Sequence, residues 1–585
     1  MTLPMYSRRE MLTSCVTAFA TAACRPAAST AEAPKRTLAV ALNAASFRPE
    51  GDLKKRFELN YNRLQDDQFR FAAMKVAPTL KNAPGDWIGR AILALCLGAQ
   101  ALGKEPPHLA EVMRGLPSCL NKRGYMGDEL PAGQASECQL AGHTGLIRGL
   151  CAYHTWRADA KAIELLGRIV DRLVVPAGDC FASYPVAKLA ARQGGGAVAT
   201  ALAEDGNWHE LSSDIGQAFM ILDAATEAYT VLPSAKLKAT IEAGIARFAE
   251  IDPETIGAQT HGMLTGVRGV LRHYEATGEA KYLAIAEKRL AAYTANATTE
   301  NHANYNWFGR PDWTEPCAVV DAFSIALWLA RLTGKAEHAE QAHRIYYNAL
   351  LYGQRPNGGF GCDRCVSVTQ QFLEPLNEVF EAPWCCTMRG AEAFSLAGRA
   401  ITVADADSIT LPFYVSGAAE LPGGLKFRID TRYPTTGEID LTVQKIPAPK
   451  EVTFRFFVPS WAVPGTLNIS LNGRATTMAV AQGFAEVRLT PKAGDVLALR
   501  FDQQLGAIDT HVSAKTVHRY AHGALLLGRC ASSPAVNIPR SSTVESMQDG
   551  RYRVGDEALT PLTNLTWMKE DDARRDVRQL VFRTV

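Results

Sequence analysis

Two stretches of the chain can be laid over each other. HGMLTGVRGVLRHYEATGEAKYLAIAEK begins at His261 and CAVVDAFSIALWLARLTGKAEHAEQAHR begins at Cys317. Both place apolar residues at i, i+3, i+4 and i+7, and Thr277-Gly278 and Thr333-Gly334 fall at matching offsets. That spacing makes one face of a helix apolar, and Gly at its end suits the left-handed cap that a Cβ would penalise. The unit is a helical hairpin, and repeated hairpins fold into an open solenoid or a closed toroid. The helical period extends from about Asn60 to Ala400, through segments such as Trp87–Leu102, His143–Arg157 and Ala318–Leu332. His143, in LAGHTGLIRGL, and His261 are read as residues at equivalent helix starts, which a closed barrel brings together at one end.

After about Ile401 the period becomes two. Leu425, Phe427 and Ile429 alternate with polar residues, as do Ile439, Leu441 and Val443, and Leu467, Ile469 and Leu471 lead to an Asn472-Gly473 turn. Such strands predict an antiparallel β-sandwich. The expected fold is a helical solenoid or closed helical barrel followed by that sandwich. Residues 1–35 are expected to form a leader and linker, 36–400 the helical barrel, 401–505 the sandwich and 506–585 a further β-rich region. Within the barrel segment, 36–55 are a candidate strand of the sandwich, crossing back over the barrel.

Composition narrows the function. The chain has 585 residues, with 62 Lys+Arg against 60 Asp+Glu and a net charge of +2. This balance, without basic blocks, argues against nucleic acid as a partner. No apolar run stands out as the roughly 18 or more residues of a membrane span. Arg8 and Arg9 precede a short, weakly apolar stretch, Met11 to Ala23, and small residues follow. This is the pattern of a twin-arginine export signal, so the expected location is the periplasm. Cys24, after Thr21-Ala22-Ala23, is a weak candidate for lipid attachment. The 13 cysteines cannot all be paired. A protein exported already folded can load its thiols with metal in the reducing cytoplasm.

The chemistry concentrates in ENHANYNWFGRPDWTEPCAVVD, residues 300–321, and APWCCTMRG, residues 382–390. Glu315, Cys317, Cys385 and Cys386 make a four-ligand set of the kind that binds Zn²⁺; buried core cysteines are the structural alternative. A rival set joins Cys362 and Cys365, spaced as C-x2-C, to one or both of the pair and leaves Cys317 free. A disulfide between Cys362 and Cys365 is a third arrangement.

These residues carry a resemblance. TEPCA with a later double cysteine, helical hairpins before it and a sandwich after it, resembles the β-L-arabinofuranosidase family, glycoside hydrolase family 127. AGHTGLIRGL, HGMLTGVRGVLRHYEATGE and VPSWAV followed by LNISLNG extend the likeness over most of the chain after the leader. The resemblance implies an (α/α)6 helical barrel followed by an antiparallel β-sandwich, with a zinc ion on Glu315, Cys317, Cys385 and Cys386 and Cys385 as a thiolate nucleophile. It implies a general acid/base at Glu300, through a one-residue gap, and sugar contacts from His143 and His261. Tyr305, Trp307 and Trp384 are candidates for an aromatic wall against a sugar. The chain departs from the family where Thr387-Met388-Arg389-Gly390 follows the double cysteine, and at GGFGCDRC, residues 358–365, where relatives present an aromatic followed by Asn-Pro. The implied activity is that of an exported, zinc-dependent, retaining exo-glycoside hydrolase acting on terminal β-L-arabinofuranose or a related sugar in an oligosaccharide or polysaccharide. A polysaccharide lyase on a helical toroid and a non-catalytic glycan-binding protein with structural zinc are the alternatives.

Overall fold

The computed structural model describes residues 46–76, 82–187, 207–400, 403–404, 408–421, 423–512, 514–530, 534–563 and 577–584. The residues expected to form an export leader, and Cys24, lie outside the described residues. Twelve helices build the barrel. In chain order they are α1 (Gly51–Arg63), α2 (Asp86–Leu102), α3 (Leu109–Gly115), α4 (Glu137–Arg157), α5 (Ala160–Ile169) and α6 (Ile221–Val231). They continue as α7 (Ala235–Glu250), α8 (Thr260–Thr277), α9 (Ala280–Asn296), α10 (Pro316–Thr333), α11 (Ala336–Ile345) and α12 (Cys386–Arg399). The even-numbered helices form the inner ring, each packed on the next, with α12 closing onto α2. The odd-numbered helices lie outside. The hairpin repeat is therefore closed, an (α/α)6 barrel, and Gly278 and Gly334 cap α8 and α10 at φ 72° and 69°.

An inner helix meets neighbours on every side and must be apolar nearly all round. The 18 residues of α10 are long and apolar enough to cross a membrane by length and composition, and 89% of them are buried inside the barrel. Where inner helices touch, glycine sets the distance. A Cβ on Gly149 of α4 would lie 2.5 Å from the carbonyl oxygen of Gly89 in α2, and one on Gly269 of α8 would lie 2.4 Å from the backbone of Leu222 in α6.

The residue before each of these glycines, Arg148 or Arg268, projects into the barrel axis, and Arg389, followed by Gly390, does the same from α12. Arg148 lies 2.6 Å from Glu392 and 3.2 Å from Asp223, and Arg268 lies 2.7 Å from Asp321. Arg268 also pairs with Glu392, and Arg389 pairs with both Asp321 and Glu392. This buried network joins α4, α6, α8, α10 and α12 across the barrel interior.

The strands follow the predicted alternation. They are β1 (Ser46–Pro49), β2 (Ser408–Leu411), β3 (Gly417–Glu420), β4 (Lys426–Thr431), β5 (Gly437–Lys445), β6 (Val452–Phe457), β7 (Asn468–Leu471), β8 (Phe484–Leu489) and β9 (Val496–Phe501). One sheet runs β1-β3-β4-β5-β9-β7 and ends on Arg474–Ala475; the second runs from Ala479–Ala481 through β8, β6 and β2 to Val403–Ala404. Phe427, Ile429, Ile439, Leu441 and Val443 are buried. Asn472 and Gly473 both take positive φ, 52° and 76°, as the two central positions of a type I′ hairpin turn require. The pairing is antiparallel except between β6 and β2, which run parallel. Strand β1 pairs with β3 and leads directly into α1, so the chain before the barrel is stitched to the sheet after it.

A third sheet contains the strands after Leu505 and also takes in Phe372–Leu373, which pairs with Arg578–Gln579. Barrel and sandwich share one aromatic joint. His343 of α11 stacks on Phe457 of β6 at 5.1 Å and lies 4.6 Å from Phe413.

Candidate active site

A cavity of about 350 Å³ opens over the amino-terminal ends of the inner helices. Asp86, Trp87 and Arg90 come from the start of α2, and Gln217 and Met220 precede α6. His261 comes from the first turn of α8, Glu315 caps α10, and Cys385 caps α12. The positive ends of several helix dipoles thus surround one space, which favours anions there.

Local sequence fixes the ligand-like residues. In Glu315-Pro316-Cys317, Pro316 occupies the first helical position of α10, where a missing N–H costs nothing. Cys386 is the first residue of α12. One donor atom from each of Glu315, Cys317, Cys385 and Cys386 lies within 4.8 Å of every other. The Cys317 and Cys386 sulfurs are 3.7 Å apart, and those of Cys385 and Cys386 are 3.4 Å apart. Cys317 and Cys386 are buried, whereas Cys385 is partly exposed to the cavity.

Burial raises the Cys317 and Cys386 thiols well above the usual thiol range. The contact from Cys317 lowers Cys385, but its contact with Cys386 and burial outweigh that, and it too is raised. Three crowded thiols and a carboxylate are poor neighbours as isolated anions. They are a suitable donor set for a metal cation that replaces their protons.

Arg90 supports this cluster from below. Its Nη1 is 3.5 Å from the Cys317 sulfur, its Nε donates to Asp86 at 2.6 Å, and its Nη2 is 3.2 Å from His261 Nε2. His261 Nδ1 is 2.6 Å from Asp321 Oδ2, so the buried network sets the imidazole's orientation. Gln259 Nε2 reaches Glu315 Oε2 at 3.4 Å, and Asn304 Oδ1 accepts from the Glu315 backbone at 3.2 Å. Sequence reasoning missed Arg90, Gln259 and Asn304, although the pairing of Arg with Gly on successive inner helices was visible.

Several expected positions are corrected. His143 is not at a helix start, because α4 begins at Glu137. Its Nδ1 is 2.7 Å from the Gln139 carbonyl, and its Nε2 accepts from the Met126 backbone at 3.0 Å. Both nitrogens are used and burial lowers its pKa to about 4, so it is a neutral structural residue with nothing left for a sugar hydroxyl. His143 precedes Arg148 by five residues, whereas His261 precedes Arg268 by seven. Two residues on a helix rotate a side chain by about 200°, to the opposite face.

Glu300 does not line the cavity. Its Oε2 accepts from the His511 backbone at 2.7 Å and lies 3.3 Å from Arg519 Nε, which ties the barrel loop to the third sheet. Tyr305 and Trp307 also lie off the cavity lining. Trp307 stands edge-on to Trp313 at 5.5 Å and donates from Nε1 to Asp214 Oδ1 at 3.1 Å. The aromatic lining is Trp87, Trp313 and Trp384.

Cys362 lines the cavity beside Cys386. The Cys365 sulfur instead donates to the Asn304 carbonyl at 3.6 Å, and both are free thiols. The rival set that excludes Cys317 and uses Cys365 is therefore not assembled.

The fold and the site together define a class: a closed (α/α)6 barrel joined to β-sheets, with a thiol-rich centre at the amino-terminal ends of its inner helices. The particular likeness is to glycoside hydrolase family 127. Residues 408–503 match the family model described as the β-L-arabinofuranosidase, GH127 middle domain. Three solved structures share the fold. One described as a glycoside hydrolase is 15% identical, with 94% of this chain and 97% of that chain covered and a TM-score of 0.66. A GH127 β-arabinofuranosidase is 14% identical over 91% and 92%, with a TM-score of 0.64. A GH127 β-L-arabinofuranosidase from Geobacillus stearothermophilus T6 is 13% identical over 92% and 100%, with a TM-score of 0.68. No curated protein matches the sequence. The resemblance read from TEPCA and the double cysteine holds: it is carried in sequence by residues 408–503 and in fold by more than nine-tenths of the chain.

Proposed function

We propose that this chain is an exported, zinc-dependent, retaining exo-glycoside hydrolase that removes terminal β-L-arabinofuranose or a closely related sugar, with Cys385 as nucleophile. The observation that carries this reading is the convergence of Glu315, Cys317, Cys385 and Cys386 in one cavity. Export rests on the Arg8-Arg9 leader. The sugar assignment rests on the likeness to the two β-arabinofuranosidases.

Glu315, Cys317, Cys385 and Cys386 would hold the zinc, which when bound keeps coordinated thiols deprotonated at neutral pH. Cys385 is the sulfur exposed to the cavity, so it is the one that can reach an anomeric carbon. It sits at the amino terminus of α12, where the helix dipole also favours the thiolate. Arg90 lines the same cavity, and its five N–H donors outnumber its contacts with Asp86, Cys317 and His261, so it can also reach a sugar hydroxyl. His261, whose ring nitrogens meet Asp321 and Arg90, holds that guanidinium in place. Trp87, Trp313 and Trp384 offer apolar ring faces. A lyase would need a tyrosine at its reacting centre, and no tyrosine is among the described residues lining this cavity.

Two displacements, one by sulfur and one by water, conserve the anomeric configuration. Proton NMR of p-nitrophenyl β-L-arabinofuranoside hydrolysis is expected to show the β-anomer of L-arabinofuranose first, followed by mutarotation. First appearance of the α-anomer would overturn the double displacement.

A further inference from the structure

A sulfur cannot expel a sugar alcohol efficiently unless a proton reaches the glycosidic oxygen, and the returning water needs a base. Among the described residues, three carboxyls line the cavity that holds Cys385: Asp86, Asp214 and Glu315. Asp86 is committed to Arg90, whose Nε is 2.6 Å away. Glu315 is one of the four converging donors. Asp214 remains.

Its position suits the task. Asp214 lies in the loop that leads into α6, and α6 stands opposite α12 in the ring of six inner helices. Carboxyl and sulfur therefore approach the cavity from facing sides of the barrel. Asp214 is buried. Its Oδ1 accepts from Trp307 Nε1 at 3.1 Å, and its Oδ2 has a contact of 3.4 Å with Gln217 Nε2. Both donors are neutral, and Asp214 forms no ion pair with a described residue. The charged groups nearest to it are Glu315, Glu137 and Arg310. Burial holds its carboxyl well above the usual carboxylate range. Trp307 fixes Oδ1, leaving Oδ2 as the oxygen to carry a proton.

We propose that Asp214 is the general acid and base of this site, in the role that the sequence pattern assigns to Glu300. The inference rests on Cys385 being the nucleophile. In the first step the Asp214 O–H bond breaks and its proton goes to the glycosidic oxygen. The electron pair of the C1–O bond leaves with that oxygen as a sulfur lone pair forms the C1–S bond. In the second step the Asp214 carboxylate takes a proton from water while the water oxygen bonds to C1. The C1–S electron pair then returns to sulfur. Trp307 is a positioning residue for Asp214.

The test compares full-length wild type with Asp214→Asn and Asp214→Glu on methyl and p-nitrophenyl β-L-arabinofuranoside. p-Nitrophenol leaves without much help from an acid, whereas methanol does not. Asp214→Asn is expected to lose about 10²–10⁴-fold in kcat/KM on the methyl glycoside and far less on the p-nitrophenyl glycoside. Azide should restore its turnover and yield the β-glycosyl azide, since azide needs no base. Asn keeps an acceptor for Trp307, and if that variant melts early, Asp214→Glu carries the test through a displaced alkaline limb in the pH profile of kcat/KM, where loss of the acid's proton ends the first step. Equal activity of Asp214→Asn and wild type on both glycosides overturns the assignment. The same leaving-group pattern in Glu300→Gln, with Asp214→Asn unimpaired, also overturns it. Failure of the underlying reading looks different: no turnover by wild type, or full turnover by Cys385→Ser, removes the nucleophile together with its acid.

Discussion

Cys385→Ser is expected to lower turnover by about 10⁴-fold or more, as removal of a covalent nucleophile does in enzymes whose residues act as a unit. The substitution is mild for the fold. Cys385 occupies the N-cap of α12 with φ −144° and makes no side-chain capping bond, and Ser is among the favoured residues at that position. The variant should therefore melt close to wild type and retain metal through Glu315, Cys317 and Cys386. Steady-state hydrolysis of the aryl glycoside, with metal content and melting measured on the same sample, checks this. Near-wild-type turnover with metal still bound would contradict Cys385 as nucleophile and leave the cluster a structural centre. Cys317 and Cys386 are buried, so their serine variants should lose metal first and activity as a consequence.

The second large effect concerns stability. Glu392→Gln removes one negative charge from a buried set in which Arg148, Arg268 and Arg389 converge on that carboxylate. Removing one partner of a buried ionic group leaves uncompensated charge and costs about 3–5 kcal/mol. Burial alone would raise the Glu392 pKa, but the three arginines outweigh it and hold the carboxyl well below the ordinary range. The unfolded chain therefore binds the proton more readily than the folded one. This contribution is fully present above the unfolded pKa of about 4.3 and is lost as pH falls towards the folded value. Calorimetry should show a lower Tm for Glu392→Gln at pH 7, with a gap to wild type that narrows below about pH 4. An unchanged Tm at pH 7 would show that the network does not hold the inner ring together.

Much of this was legible because each feature has a local cause. The Thr-Gly ends of α8 and α10 and the alternating Phe427, Ile429, Ile439 and Leu441 are dictated by cap and pleat geometry, and the Asn472-Gly473 turn by positive φ. Glu315, Cys317, Cys385 and Cys386 were identified by residue type and motif. Their convergence depends on α10 and α12 being neighbours in a closed ring, one of the two arrangements open to the hairpin repeat.

The failures were matters of rotation and long-range contact. His143 looked equivalent to His261 until the Arg-Gly pairs set the true register, two residues away. Glu300 lies in the right stretch of sequence, but its partners, His511 and Arg519, come from a sheet more than 200 residues later. Trp307 lies off the cavity lining and meets it through its hydrogen bond to Asp214. Asp214 belongs to no motif; the loop before α6 brings it to the cavity, across the ring from α12.

The most direct test of the central claim is the metal content of the purified full-length protein, measured by elemental analysis beside its activity. A zinc ion held by Glu315, Cys317, Cys385 and Cys386 requires one equivalent per chain, and activity should fall in proportion as a chelator removes it. Full turnover by protein that contains no metal would contradict the account.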